Sequence, residues 1–148
     1  MSKPPDITGE TARRVGRTCL CLHAQRAARA LARRFDDALR PVGLTSGQFS
    51  LMMSLNRPAP PTIGAAAASL AMDRTTVTAA LKPLVAAGLV AVAVDPADRR
   101  SRRLSLTAAG RARLAEALPV WQRTHDAVEG LLAAGGGDRV RHDLRALG

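Results

Sequence analysis

Apolar residues recur at intervals of three and four between Val15 and Leu39: Leu20, Ala24, Ala27, Leu31, Phe35 and Leu39, with Arg26, Arg29, Arg33, Arg34 and Asp37 in the gaps. That spacing draws one apolar stripe along a helix of 3.6 residues per turn, so a long amphipathic helix is predicted, ended by "RPVGLT". Ahead of it, Pro4, Pro5 and Gly9 make the first dozen residues read as a loose arm. Thr45 opens a second helix, because its hydroxyl can accept from the backbone while Gln48, three residues on, reaches back to form a capping box. Phe49, Met52 and Met53 are the apolar positions of this helix. It stops before "NRPAPP", whose prolines cannot continue it.

The next pattern is denser. Ile63, Ala66, Ala67 and Leu70 mark one face of a short helix capped by Thr62, and Ala71 and Met72 form a break. Asp73 then caps a further helix with Val77, Leu81, Leu84 and Val85 on one side and Thr75, Thr78, Ala79 and Lys82 on the other. Pro83 is expected to kink it, and Gly88 to end it. Leu89 to Val94, "LVAVAV", has the length and β-branched alternation of a strand; Arg103 to Leu106 alternate again, so the intervening basic loop is the tip of a β-hairpin. Two short helices, a tight turn between them and a hairpin behind them make a winged helix-turn-helix.

Beyond Thr107 the helical period returns, with Leu114, Leu118, Trp121, His125, Val128 and Leu132 on a common stripe through "LAEALPVWQRTHDAVEGLLAA" and Pro119 as a second expected kink. Gly135 to Gly137 break it. A last short helix, with Asp138 as its expected cap, presents Val140, Leu144 and Leu147. The fold class is therefore mainly α with one small β-hairpin. One unit spans 1–148, with helices at about 15–41 and 111–148 flanking a reading lobe at about 45–110 whose wing tip is 95–102.

Composition and charge sharpen this picture. The 148 residues are 47% hydrophobic and 23% charged, the usage of one folded domain. Lysine and arginine number 22 against 12 acidic residues, a formal charge of +10 that attracts polyanions. Only Lys3 and Lys82 are lysines. Arginine's planar fork suits phosphate and guanine, although an Ala- and Arg-rich composition also follows from a GC-rich genome. No stretch approaches the ~20 apolar residues of a membrane span, and no apolar signal core opens the chain, so a cytoplasmic protein without a membrane partner is expected. Two cysteines, Cys19 and Cys21, do not make a disulfide framework.

The chemistry then falls on two surfaces. A helix-turn-helix lays its second helix in the major groove, and a basic hairpin reaches the backbone or minor groove beside it. On the helix, Arg74, Thr75, Thr76, Thr78 and Lys82 are the candidate contacts; on the wing, Arg99, Arg100, Arg102 and Arg103. Asp98 is expected to pair with Arg100 or to cap the turn, holding the arginine in one orientation. No paired carboxylates, Ser/His/Asp set or phosphate-cradling loop is present, so no enzyme and no cofactor are expected. Cys19, Cys21 and His23 lie two apart; on a helix Cys21 points away from Cys19, so one chain closes no metal site.

From Cys19 to Gly110 the chain resembles the MarR family of bacterial transcriptional regulators, on "LTSGQFSLMMSL", "MDRTTVTAALKPLVAAGLV" and "DPADRRSRRLSLTAAG". The last matches the family's wing signature through Asp98, Arg100, Ser101, Leu106, Thr107 and Gly110. The resemblance implies a wing arginine in the minor groove, braced by the aspartate. It also implies a homodimer on an inverted-repeat operator in double-stranded DNA, with Leu20, Trp121, Val128, Leu144 and Leu147 as interface candidates; core of one chain is the alternative for Trp121. Ala71 stands where a turn glycine is common, and alanine there suggests right-handed backbone. Cys21, with Cys19, is the candidate redox sensor, near the reactive cysteine of hydroperoxide-sensing members, although their neighbouring tyrosines are absent. A small aromatic effector between the dimer helices and the reading lobe is the other arrangement. Two further classes stay open: a winged-helix nucleic-acid module without effector response, and a thiol peroxidase using Cys21.

Overall fold

The computed structural model describes residues 7–148; Pro4 and Pro5 of the expected arm lie outside them. Seven α-helices and one hairpin follow in order: α1 (Gly9–Thr18), α2 (Leu20–Leu39), α3 (Ser46–Leu55), α4 (Ile63–Ser69), α5 (Arg74–Ala86), β1 (Val90–Val94), β2 (Arg102–Leu106), α6 (Ala108–Glu129) and α7 (Gly136–Leu147). The expected loose arm is corrected from Gly9 onward, because Thr8 caps α1 by accepting from the Thr11 N–H at 3.2 Å. The single long helix is also corrected. Cys19 adopts extended backbone (φ −69°, ψ 107°) and divides it into α1 and α2. Thr18 turns its hydroxyl back to the Arg14 carbonyl, and the Cys19 sulfur accepts the Leu22 N–H at 3.4 Å. Gly16, Thr18 and Cys19 are weak helix formers, and apolar spacing does not register a one-residue break.

Side-chain caps fix the start of the lobe's helices. Thr45 and Gln48 form the full capping box, at 3.1 and 3.0 Å, and Thr62 and Asp73 cap α4 and α5. Behind them sits a continuous core in which Leu39, Leu51, Met52, Val77, Leu84 and Leu104 are almost wholly buried. On α3 the inward positions include Leu51 and Leu55, while Met53 faces water; on α5, Val85 faces water as well. Pro83 and Pro119 lie inside α5 and α6, each of which continues through its proline.

The two turns that end α4 and α5 share one geometry. At each, two N–H groups beyond the helix close back on its last carbonyls: Met72 to Ala67 and Ala71 to Ala68, then Leu89 to Leu84 and Gly88 to Val85. This Schellman pattern requires a left-handed residue. Gly88 supplies it with φ +71°, and Ala71 supplies it with φ +50°, correcting the expectation of right-handed backbone there. The six-residue closure onto Ala67 imposes the handedness, at a steric cost of ~1–2 kcal/mol for a residue with a Cβ.

β1 and β2 pair antiparallel, Val90 opposite Leu106 through Val94 opposite Arg102. Leu104 and Leu106 point into the core, whereas β1 is exposed from Ala91 onward, so the outer hairpin stands away from the body. At its base Thr107 donates its hydroxyl to the Gly88 carbonyl at 2.6 Å and caps α6 by accepting from Gly110 N–H at 3.0 Å. A Cβ on Gly110 would collide with the Leu89 carbonyl. The "LTAAG" run thus joins the end of α5 to the start of α6.

The C-terminal boundaries differ from the sequence expectation. α6 ends at Glu129 because Gly130 and two tight turns follow, so Leu131 to Ala134 lie outside it. Asp138 is no cap: Gly135, with φ +73°, precedes α7, and Asp138 sits in the first turn, paired with Arg141 at 2.7 Å. The Arg141 hydrogen bond and charge, with a smaller pull from Arg145, hold the Asp138 carboxyl below the usual carboxylate range. Arg141 also bonds Glu129 of α6. No helix among the described residues is long and apolar enough to cross a membrane.

Candidate nucleic-acid interface

α5 turns Arg74, Thr75, Thr78, Ala79 and Lys82 to solvent as its apolar residues Val77, Leu81 and Leu84 bury themselves. Its start is tightly built. Asp73 accepts the Thr76 N–H at 2.7 Å and the Thr76 hydroxyl at 2.8 Å, and these two bonds hold its carboxyl below the usual range. Thr76, a candidate DNA contact, therefore has its hydroxyl committed to the cap. Thr78 donates its hydroxyl to the Arg74 carbonyl at 2.8 Å, leaving the oxygen lone pairs outward as acceptors. Arg74, Thr75 and Lys82 make no side-chain hydrogen bond or ion pair with the described residues.

The wing tip is a closed loop. Asp98 accepts the Arg100 N–H on its side chain at 3.0 Å and the Ser101 N–H on its carbonyl at 2.9 Å. Of the two roles expected for Asp98, the structure shows the turn cap and no pairing with the Arg100 guanidinium. Arg102 folds back, donating to the Arg99 and Ser101 carbonyls at 3.1 and 3.2 Å, and so braces the loop. Arg99 and Arg100 extend into solvent with no acidic side chain of the described residues in ion-pair range.

Arg103 is a correction. It turns inward, 3.1 Å from the Asp95 carboxylate, and donates to the Pro60 carbonyl at 2.8 Å. Asp95 is a site residue that the sequence reading passed over. It is 5% exposed, accepts the Ala97 N–H at 3.0 Å, and its carboxyl is held below the usual range by that bond first and by Arg103 next, against the cost of burial. The signal was available: in this register Asp95 faces Ser101, and Arg103 is its diagonal neighbour.

The remaining candidates separate. Trp121 stacks on Phe49 and His125 of its own chain, with ring centroids 6.1 and 4.8 Å apart, and packs partly into the core. Leu20, Leu144 and Leu147 are exposed and Val128 half-buried. Cys21 is exposed, whereas the half-buried Cys19 occupies the N-terminus of α2. A cavity of about 240 Å³ lies between α2, α3 and α6, lined by Leu31, Phe35, Ser46, Phe49, Ser50 and Trp121.

A capped, outward-facing helix behind a tight turn, with an arginine-tipped hairpin attached, is the DNA-reading unit of a winged helix-turn-helix protein. Residues 42–101 match the model of the MarR family. The DNA-bound structure of the Mycobacterium tuberculosis transcriptional regulator MosR is 39% identical over 87% of this chain and 92% of that one, with a TM-score of 0.79. The transcriptional repressor CouR, bound to a 23-mer duplex, is 29% identical over 97% and 99%, with a TM-score of 0.79. BpsR of Bordetella bronchiseptica, whose DNA binding is regulated by 6-hydroxynicotinic acid, is 27% identical over 84% and 94%, with a TM-score of 0.75. A search of curated proteins returned no match. The chain belongs to the MarR family of transcriptional regulators, whose matched members are regulators and not enzymes.

Proposed function

We propose that the protein is a cytoplasmic homodimer that binds an inverted-repeat operator in double-stranded DNA. α5 enters the major groove, where Arg74, Thr75 and Lys82 contact phosphates and Thr78 reaches a base edge through its free lone pairs. The wing sets Arg99 and Arg100 against the minor groove, whose negative potential draws a guanidinium without base-specific bonds. Asp98, Arg102 and Thr76 keep these surfaces in shape. The observation that carries the reading is the pairing, on one lobe, of a solvent-facing α5 with a hairpin tip whose two outermost arginines have no acidic partner among the described residues. Dimerisation through the terminal helices, with Leu20, Val128, Leu144 and Leu147 in the seam, would set two such lobes about one helical turn of DNA apart.

Regulation by a small ligand is supported by the cavity between α2, α3 and α6. At about 240 Å³ it falls below the ~300 Å³ of drug-sized pockets, so a single small aromatic ring is its natural occupant. A second reading is thiol modulation. It rests on position: the half-buried Cys19 caps α2 with its sulfur accepting the Leu22 N–H, and the exposed Cys21 follows two residues on. Selection from a random pool of duplexes, followed by binding of the enriched duplex at several salt concentrations, tests the function. Arg100→Ala should weaken binding and reduce the salt slope by about one phosphate equivalent, whereas Thr78→Ala should change the preferred sequence. Failure of the unaltered protein to enrich any duplex would reject the reading.

A further inference from the structure

The wing is a two-stranded hairpin whose outer part buries little. Such a hairpin is marginally stable alone, so something other than apolar burial must fix its direction. Asp95 is the one charged residue that is buried among those described. It accepts from Ala97 on its own strand end and faces Arg103 across the hairpin. Arg103 in turn bonds the Pro60 carbonyl, while the next residue, Leu104, donates its N–H to Pro61 at 2.9 Å. Pro60 and Pro61 lead directly into Thr62, the cap of α4, and Thr62 bridges Arg103. The carboxylate, the guanidinium and the proline carbonyl therefore form a cross-tie between the wing and the first helix of the helix-turn-helix.

We propose that Asp95 and Arg103 are positioning residues that set the angle of the wing relative to α4 and α5, and through it the affinity for duplex DNA; this rests on the DNA-reading function proposed above. Neither is a phosphate ligand. Asp95 repels phosphate, and both terminal nitrogens of Arg103 are engaged by the protein. A wing fixed in advance loses less conformational freedom on binding than one that swings. Removing Arg103 leaves the buried Asp95 carboxylate without its counter-charge, and neutralising Asp95 frees the half-exposed Arg103 guanidinium from the hairpin, so either substitution releases the hinge.

Two variants make the proposal sharp because they change the net charge in opposite directions. Asp95→Asn adds one positive charge and Arg103→Gln removes one. Bulk electrostatics demands that the first tighten binding and the second weaken it. The cross-tie demands that both weaken it, by about tenfold, with the salt slope unchanged because no phosphate contact is lost. Trypsin should cleave faster after Arg99, Arg100 and Arg102 in both variants, while the helical melting transition stays cooperative. Arg103→Lys should recover part of the affinity, since one ammonium can meet Asp95 but not Pro60 as well, and it serves if either neutral variant fails to fold.

The duplex is the one enriched from a random pool by the unaltered protein. Tighter or unchanged binding by Asp95→Asn, a slope reduced by about one in Arg103→Gln, or unchanged cleavage at the wing would overturn the proposal. If the unaltered protein enriches no duplex, the DNA-reading function itself fails; the cleavage comparison then still decides whether the cross-tie orders the wing.

Discussion

The winged lobe and the terminal helices obey different rules. From Leu44 to Leu106, closed off by Leu39 of α2 and by Leu114 and Ala117 of α6, the chain builds one continuous interior. α1 and α7 have no buried residue at all, and Val140, Leu144 and Leu147 of α7 face water. α7 is tied to α6 by Arg141 and Glu129, an exposed ion pair of the kind that contributes at most ~1 kcal/mol. Burial within one chain thus explains the lobe and leaves the ends without an explanation, which a second copy would supply.

Substitutions can break or sharpen this contrast. The largest effect belongs inside the lobe: Leu104→Ala should lower unfolding stability by about 2–5 kcal/mol, measured by denaturant titration. Gly110→Ala should cost ~1–3 kcal/mol or more, because the new Cβ meets the Leu89 carbonyl, a backbone atom that cannot yield alone. Acid should act on the lobe next. The carboxyls of Asp73 and Asp95 titrate below a free aspartate in the folded chain, so their contribution is complete above the free-aspartate range and is lost as pH falls through the depressed values. An acid melt of Asp95→Asn should show less loss across that window than the parent. Ala71→Gly should raise stability by about 0.5–1 kcal/mol, as relief of left-handed strain exceeds the entropy of glycine. At the ends, Leu147→Asp should change the folding of the lobe by under ~0.5 kcal/mol and yet halve the particle mass in sedimentation. Equal mass in that variant would remove α7 from the proposed seam.

What was legible in the chain was local. Thr45 with Gln48, Thr62 and Asp73 act within three residues, so their caps follow from the sequence alone. The existence of the hairpin follows from alternation and its basic tip from the arginine run. What escaped depends on distant partners. An alanine gives no sign of a left-handed φ, which here comes from the closure of Met72 onto Ala67. The charge run hides which arginine turns inward, since Arg103 is chosen by Asp95 and by a carbonyl 43 residues earlier. The division of the first helix rests on one residue, Cys19, and a period of 3.6 reads straight across it.

The junction at Leu89 has a mechanical meaning. Its carbonyl receives the Thr107 N–H at 3.1 Å and admits the first turn of α6 only because Gly110 lacks a Cβ, so the end of the reading helix and the root of α6 cannot move apart. With 22 residues, α6 is a rod of about 33 Å, and tilting it by about 10° at this fulcrum swings its far end by about 6 Å. In the proposed dimer, a small displacement at the seam between subunits would thereby be geared directly to the pitch of α5.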